Sequence, residues 1–346
     1  MMKQQYLSLL KQGVAEWNDW RSQAQDVSPK ITVQRPLDLR EVVLAQADLR
    51  QINLSQADCC MVNLRNTDLR WANFKEALLY TADLTQADLT AANLIGADLR
   101  EACLERANLQ WARLDVAVLS MTDLTAVNLR EASLRGTDLH QSRLRGADGC
   151  MANFSESNLQ QADLTDGIFY TADFQGANLK QANLNRADFR EAHCIQANFQ
   201  DAIAHQANFS LGSFALANLV GATLCDADLH WANLSIANLC MANLRNANLA
   251  GAVLFGGNLI SANLHQANLT QANLAETDLR EAMLSGADLS DASLKRANLS
   301  MANLRGANLT DADLRYANLS DTNLSEANLI GARLKGATMP DGSRHD

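Results

Sequence analysis

Residues 232–252 read ANLSIANLCMANLRNANLAGA, and leucine returns there at every fifth position. The five-residue step runs from Leu39 to Met339 through 61 positions without an insertion, and 48 of these are leucine and 8 are phenylalanine. We name this position the centre of each repeat unit. Two residues before the centre, 46 of the 61 residues are alanine, and directly before it 44 are aspartate or asparagine. The unit is therefore alanine, aspartate or asparagine, leucine and two variable residues.

A period of five fits neither an amphipathic helix, with about 3.6 residues per turn, nor a strand, with about two. One unit cannot bury its own leucine, so the units must coil and stack with leucine and alanine inside. Aspartate and asparagine suit turns because their side chains can bond nearby backbone. Of the 17 departures from these two residue types, 13 fall on alternate units, which favours an even number of faces. The sequence predicts four-sided coils of 20 residues, stacked about 4.8 Å apart in a rod about 70 Å long.

The stretches ADLTQADLTAANLIGADLR (82–100) and 232–252 resemble the pentapeptide repeat family, and the resemblance extends over residues 37–341. It implies an all-β solenoid, a right-handed quadrilateral parallel β-helix of about 15 coils, with no enzymatic activity intrinsic to the fold. Some relatives mimic B-DNA and bind type II topoisomerases, protecting gyrase from quinolones. Another binds a transcription regulator in cyanobacterial cell differentiation. The family motif consists of structural positions, so the resemblance transfers no functional residue.

Three segments are expected along the chain: an N-terminal α-helical cap with the segment leading into the first coil (1–36), the β-helix (37–341) and a short tail (342–346). Apolar residues recur at helical steps within 3–22, and Ser28-Pro29 and Arg35-Pro36 end this pattern. The helical face consists of Tyr6, Leu7, Leu10, Val14, Trp17 and Trp20. We expect one amphipathic helix that covers the open end of the solenoid. A helix that anchors a partner or lies on a membrane surface is the alternative.

The composition argues against several classes of protein. A net charge of −10 and a pI near 5.1 argue against direct nucleic-acid binding. A mean hydropathy of −0.17 and short apolar runs argue against a membrane protein. Seven irregularly spaced cysteines and the lack of a signal-peptide pattern predict reduced thiols and a cytoplasmic location.

Phenylalanine is concentrated in one part of the predicted core. Phe169, Phe189 and Phe209 are 20 residues apart and should stack in one column. A neighbouring column is expected from Phe154, Phe174 and Phe214, with Cys194 in its gap and the small Ala204 opposite Phe214. The pattern indicates a locally repacked core rather than a slot for a ligand, so we expect no cofactor.

Catalysis usually needs converging groups, often carried on loops, and the uninterrupted repeat offers no loop to build a pocket. We therefore predict no enzymatic activity and no catalytic residue. The grouping that most resembles a metal site is His205, Cys225 and Asp226, with His265 two coils further on. Its spacing differs from that of zinc sites, so no metal site is predicted.

Outward apolar residues are the main candidates for function, because a contiguous exposed apolar patch marks an interaction surface. They concentrate at residues 195–260, and we predict a protein interface there, with a second copy of the chain or another protein as partner. The candidate residues are Ile195, Leu211, Leu216, Val220, Trp231, Ile236, Cys240, Met241, Phe255 and Ile260. The alternative is a DNA mimic that binds a topoisomerase or a DNA-binding regulator. Mixed charges, such as Arg100-Glu101 and Arg190-Glu191, dilute the acidic surface that this alternative needs.

Overall fold

The computed structural model describes residues 2–26 and 37–346. The chain divides into two compact units, a first unit at Met1–Asp163 and a second unit at Leu164–Asp346. The predicted breaks at Pro29 and Pro36 lie outside the described residues. The predicted segment boundaries at 36/37 and 341/342 stay a prediction.

Single-residue parallel β-bridges hold successive coils together in each unit. In the first unit they run from Asp38↔Asp58 to Arg143↔Asp163, and in the second from Ile168↔Asp188 to Asn318↔Thr338. Each bridge joins a residue to the one 20 positions later, and a turn separates consecutive bridge residues every five positions. The predicted 20-residue coil with four faces is therefore confirmed in both units.

A left-handed residue stands at each corner of the coil, two positions after the centre. Non-glycine residues there have φ between 53° and 64°. The backbone N–H of this residue donates to a carbonyl of the next coil, as Gln51 does to Arg70 at 2.9 Å. The aspartate or asparagine before the centre accepts from the backbone two residues on, as Asn233 Oδ1 does from Ser235 N at 3.1 Å. This bond confirms the turn role expected of these residues.

Leucine, phenylalanine and alanine fill the interior of the coils. In the second unit, Phe189 lies 5.1 Å from Phe169 and 5.6 Å from Phe209 between ring centroids, which confirms the predicted column. Cys194 and Ala204 are buried beside this column. Phe154 belongs to the first unit, so the column predicted for Phe154, Phe174 and Phe214 stays a prediction.

Among the described residues before position 37, the structure has two helices, α1 at Met2–Leu10 and α2 at Val14–Asp26. The expectation of one helix over 3–22 is wrong, because Gly13 has a φ of 131° that no helical residue adopts. Within residues 2–26 and 37–346, no helix has the length and apolar character that crossing a bilayer requires.

Helix α2 covers the backbone edge of the first coil, where polar groups would otherwise lack a neighbouring strand. Trp17 is fully buried, and its Nε1 donates to the carbonyl of Asn53 at 2.9 Å. The Asn18 side chain donates to the Gln51 carbonyl at 2.9 Å and accepts from Asn53 N at 2.9 Å. Side chains of α2 thus replace a preceding coil, which is the role expected of a cap.

The tail folds back on the last coil as a hairpin. Thr338 and Arg344 form an antiparallel bridge around Gly342, whose φ is 82°. His345 N also donates to the Ala337 carbonyl at 2.9 Å. The sequence predicted only a short tail here, because the turn lies beyond the last repeat unit.

Two glycines at the alanine position predict opposite effects of the same substitution. A Cβ at Gly212 would lie 2.7 Å from the Phe214 ring, whereas at Gly257 the nearest side-chain atom is Leu259 Cδ1 at 3.5 Å. At both positions the added Cβ would also lie 3.0 Å from a backbone carbonyl oxygen. The many repeat units that have alanine at this position accommodate that contact. We expect Gly212→Ala to destabilise by about 1–3 kcal/mol and Gly257→Ala to stabilise by about 0.4–1 kcal/mol. Urea unfolding of both variants checks this, and equal shifts would contradict it.

Candidate functional site

The two variable residues after each centre lie at the corners of the coil, with their side chains outside. Six of the predicted interface residues are exposed by 40–61%: Leu211, Leu216, Trp231, Ile236, Met241 and Phe255. The other four are half-buried: Ile195, Val220, Cys240 and Ile260. All ten belong to the second unit.

The predicted interface residues occupy three successive corners of the second unit's coils, which we name the apolar corners. The first corner holds Leu211 and Trp231. The second holds Ile195, Leu216, Ile236 and Phe255. The third holds Val220, Cys240, Met241 and Ile260. Polar residues such as Asn233 and Asn238 cover the faces between these corners, so the structure forms three apolar ridges rather than one flat patch.

Trp231 is the largest side chain of the apolar corners, and a glycine on the next coil accommodates it. A Cβ added at Gly251 would meet three atoms of the Trp231 indole at 2.6–2.7 Å. The ring therefore rests directly on the backbone of the next coil. This contact orients the indole while 58% of the residue stays exposed.

Several exposed apolar residues also occupy the left-handed position. Ile236 has a φ of 58°, Leu216 of 61° and Trp231 of 56°. Such a φ is uncommon for any L-residue other than glycine or asparagine, and it is most unfavourable for a β-branched one such as Ile236. Folding alone would favour Gly or Asn here, as Gly256 shows on the next coil.

Arginines neutralise many of the outward aspartates that lie two residues before them in the sequence. Wherever Asp and Arg flank a centre, the guanidinium closes an ion pair at 2.6–2.8 Å with the carboxylate two residues earlier. The pairs are Asp38–Arg40, Asp48–Arg50, Asp68–Arg70, Asp98–Arg100, Asp188–Arg190, Asp278–Arg280 and Asp313–Arg315. Arg100 and Arg190 thus close their ion pairs with the aspartate on the same strand, and this pairing adds to the mixing of charges predicted from the sequence.

The grouping of His205, Cys225 and Asp226 does not converge on a common point. Cys225 Sγ lies 3.9 Å from the Asn243 carbonyl, and Asp226 accepts from the Asn246 amide at 3.0 Å. Among residues 2–26 and 37–346, no three His, Cys, Asp or Glu side chains are grouped to hold a metal ion.

Sequence analysis missed two grooves that share one set of residues. In the first unit, a groove of about 390 Å³ is lined by Tyr80, Arg100, Glu101, Ser120, Met121 and His140. In the second unit, a groove of about 460 Å³ is lined by Tyr170, Arg190, Glu191, Asn208, Ser210, Leu211 and His230. Shifting the first set by 90 residues produces six of the seven residues of the second, with leucine in place of methionine, and Asn208 is the seventh. That spacing was the signal available in the sequence.

The family model described as pentapeptide repeats matches the chain in overlapping segments, which together cover residues 38–80, 82–203 and 205–339. The chain belongs to the pentapeptide repeat family. Membership implies the right-handed β-helix solenoid of that family, and the 20-residue spacing of the bridges agrees with it. Pentapeptide repeat proteins are in general structural or binding proteins rather than enzymes.

Several solved structures of pentapeptide repeat proteins are similar to the chain. HetL, a protein involved in heterocyst differentiation regulation from Nostoc sp. strain PCC 7120, is 37% identical over 64% of this chain and 91% of its own, with a TM-score of 0.34. Rfr23 from Cyanothece 51142 is 44% identical over 26% of this chain and 58% of its own, with a TM-score of 0.22. QnrB1, a plasmid-mediated fluoroquinolone resistance protein, is 19% identical over 55% and 86%, with a TM-score of 0.35. None of the curated proteins matches the sequence.

The Asp–Arg pairs predict a loss of stability in acid. Hydrogen bonds from Arg40 lower the pKa of Asp38 to about 2, and those from Arg50 and Arg70 lower the pKa of Asp48 and Asp68. A lowered folded-state pKa stabilises above the unfolded value of about 3.9, and this contribution disappears as the pH falls toward 2. We expect the urea midpoint to fall between about pH 4 and 2.

A variant with Asn at positions 38, 48 and 68 is the comparison for this acid loss. Asparagine keeps the backbone bond before the centre but cannot titrate. Its urea midpoint should depend less on pH over the same interval, and a curve parallel to that of the unmodified protein would contradict the role of these pairs.

Proposed function

We propose that the protein is a non-enzymatic protein-binding module that uses the apolar corners around residues 195–260. The partner is a protein of unknown identity or a second copy of the chain. The observation that carries this proposal is the concentration of large exposed apolar side chains on three successive corners, several of them at left-handed positions, as Ile236 is at φ 58° and 58% exposed. A cluster of such residues is unfavourable for folding and for solubility alike, so binding is the reason we infer for it.

Trp231 adds weight to the same proposal. Tryptophan is enriched among the residues that dominate binding energy at interfaces, because one rigid ring buries a large area. Gly251 orients its indole before any partner arrives. A side chain held in this way loses less conformational entropy on binding.

The alternative of a DNA mimic has less support from the charges. A mimic of the phosphate backbone needs rows of unpaired carboxylates, whereas Asp188, Asp278 and Asp313 in the second unit each pair with an arginine. We therefore favour apolar contact over electrostatic imitation of DNA. The seven cysteines are reduced thiols, which suits a reducing compartment, and on this ground we infer the cytoplasm.

Replacing Trp231 by Gln and Ile236 by Asn together tests the apolar corners. Both new residue types occupy left-handed corners elsewhere, as Gln266 and Asn246 do, so the coils should still form. Relief of the β-branched strain should stabilise the fold by up to about 1 kcal/mol. Self-association in sedimentation velocity, or the set of proteins captured from the native organism, should be lost.

Val116→Asn is the matched control, because Val116 is β-branched, 61% exposed and at φ 54° in the first unit. It should gain similar stability without losing association. Identical sedimentation and capture for the double variant and the unmodified protein would contradict the proposal.

A further inference from the structure

The residues that stack in one column of corners, one per coil, recur in the same order 90 positions later in the sequence. The first series, in steps of 20 residues, is Arg40, Cys60, Tyr80, Arg100, Ser120 and His140. The second series has the same six residue types in the same order: Arg130, Cys150, Tyr170, Arg190, Ser210 and His230. At the other three corners between residues 45 and 136, the same shift matches only Gln51 with Gln141 and Gln110 with Gln200. A plain duplication would preserve all four corners. Because the 90-residue match is almost confined to one column of corner residues, it indicates that the two series have the same role at the surface.

Around the tyrosine, the side chains of the two series also make the same contacts. Tyr80 donates from its hydroxyl to Glu101 at 3.2 Å, and the Arg100 guanidinium lies 5.8 Å from the Tyr80 ring centroid. In the second unit, Tyr170 donates to Glu191 at 3.2 Å. The Arg190 guanidinium lies 5.7 Å from the Tyr170 ring centroid.

Each groove is a gap left by a small residue between two larger ones. Ser120 is only 4% exposed and lies one coil from Arg100 and one from His140, which stand about 10 Å apart along the stack. Ser210, at 2% exposed, takes the same place in the second unit. Met121 and Leu211, exposed by 50% and 55%, form the apolar wall beside each gap.

The charges around each groove favour a cation. In the first unit Glu101, Arg100 and His140 line the groove. Asp98 pairs with Arg100 and Asp138 lies beside His140, so the groove and its immediate neighbours carry three carboxylates and one guanidinium.

The second unit repeats this arrangement. Asp188 pairs with Arg190 at 2.6 Å, Glu191 accepts from Tyr170, and Asp228 Oδ1 lies 2.7 Å from His230 Nδ1. Each arginine is already paired with an aspartate, so the carboxylates near each groove outnumber the unpaired positive charge, and the net charge disfavours an anion.

We propose that these grooves are two copies of one site for a lysine or arginine side chain of a protein partner. The aliphatic stem of the basic side chain packs on Met121 or Leu211, and its charged head lies beside the carboxylate of Glu101 or Glu191 that lines the groove. Basic side chains have this division into an apolar stem and a cationic tip. The inference does not require the apolar corners, although Leu211 belongs to both surfaces.

A third, partial series supplies a natural control in the second unit. It keeps Arg280, Glu281, Ser300 and Met301, but Ile260 and Ser320 replace the tyrosine and the histidine. Asn318 also replaces the third carboxylate. Met301 is 62% exposed, so its methyl group can report on a corner that lacks the complete site.

Methyl NMR on the full chain, labelled with ¹³C at methionine and leucine methyls, tests the proposal with Nα-acetyl-lysine amide as the probe. The Met121 and Leu211 signals should shift in a saturable way, and the Met301 signal should not. Nα-acetyl-norleucine amide, which has the stem without the charge, should leave all three signals in place. The absence of any shift with the lysine probe, or an equal shift at Met301, would overturn the proposal.

Glu101→Gln and Glu191→Gln separate the two copies. Glutamine occupies this corner position natively at Gln141 and Gln181, so the variants should fold. Each should weaken the lysine response about fivefold at its own groove and leave the other groove unchanged. Unchanged binding at both grooves would refute the site, whereas the Trp231 and Ile236 substitutions should not move the Met121 response.

Discussion

The left-handed residue at each corner is the constraint on which both units depend. It turns the chain sharply enough to close a coil in 20 residues, and its N–H bonds the next coil. The centre and the alanine two residues before it then fall inside, and the two variable residues at each corner fall outside. Since L-residues other than Gly and Asn resist this conformation, the stacked coils must supply the free energy that holds it. Packing of the buried leucines and the bonds between coils supply it together.

The five-residue step was sufficient to predict much of this architecture. The coil length, the buried Leu and Ala, and the stacking of Phe169, Phe189 and Phe209 follow from period and residue size alone. The break at Gly13 was not predicted, because an apolar face continues across it and hides a single change of backbone direction. The hairpin around Gly342 was not predicted either, since its partners lie in a part of the chain that no longer repeats.

Candidate site residues were harder to predict than the core. The outward position of Trp231 and Ile236 followed from the repeat, but their division over three corners required the coil geometry. The ion pair of Arg100 with Asp98 was not predicted, because the buried centre separates the two residues and only the coil geometry places their side chains on the same side. The two grooves were missed because Tyr80 and Tyr170 lie 90 residues apart, a distance that no local motif spans.

The uninterrupted coil has a consequence for how such a chain can change in length. Within either unit, an insertion of one repeat unit would move every later residue to the next face, and the columns of corner residues would no longer align. Only gains or losses of a whole coil would leave the surface pattern intact. The 90-residue shift is four coils and a half. In the second unit it therefore moves the partial series at Arg280 to the corner diagonally opposite Arg190. Evolution by coil duplication would thus preserve a face, whereas duplication of a half-coil would offer the same chemistry on two sides.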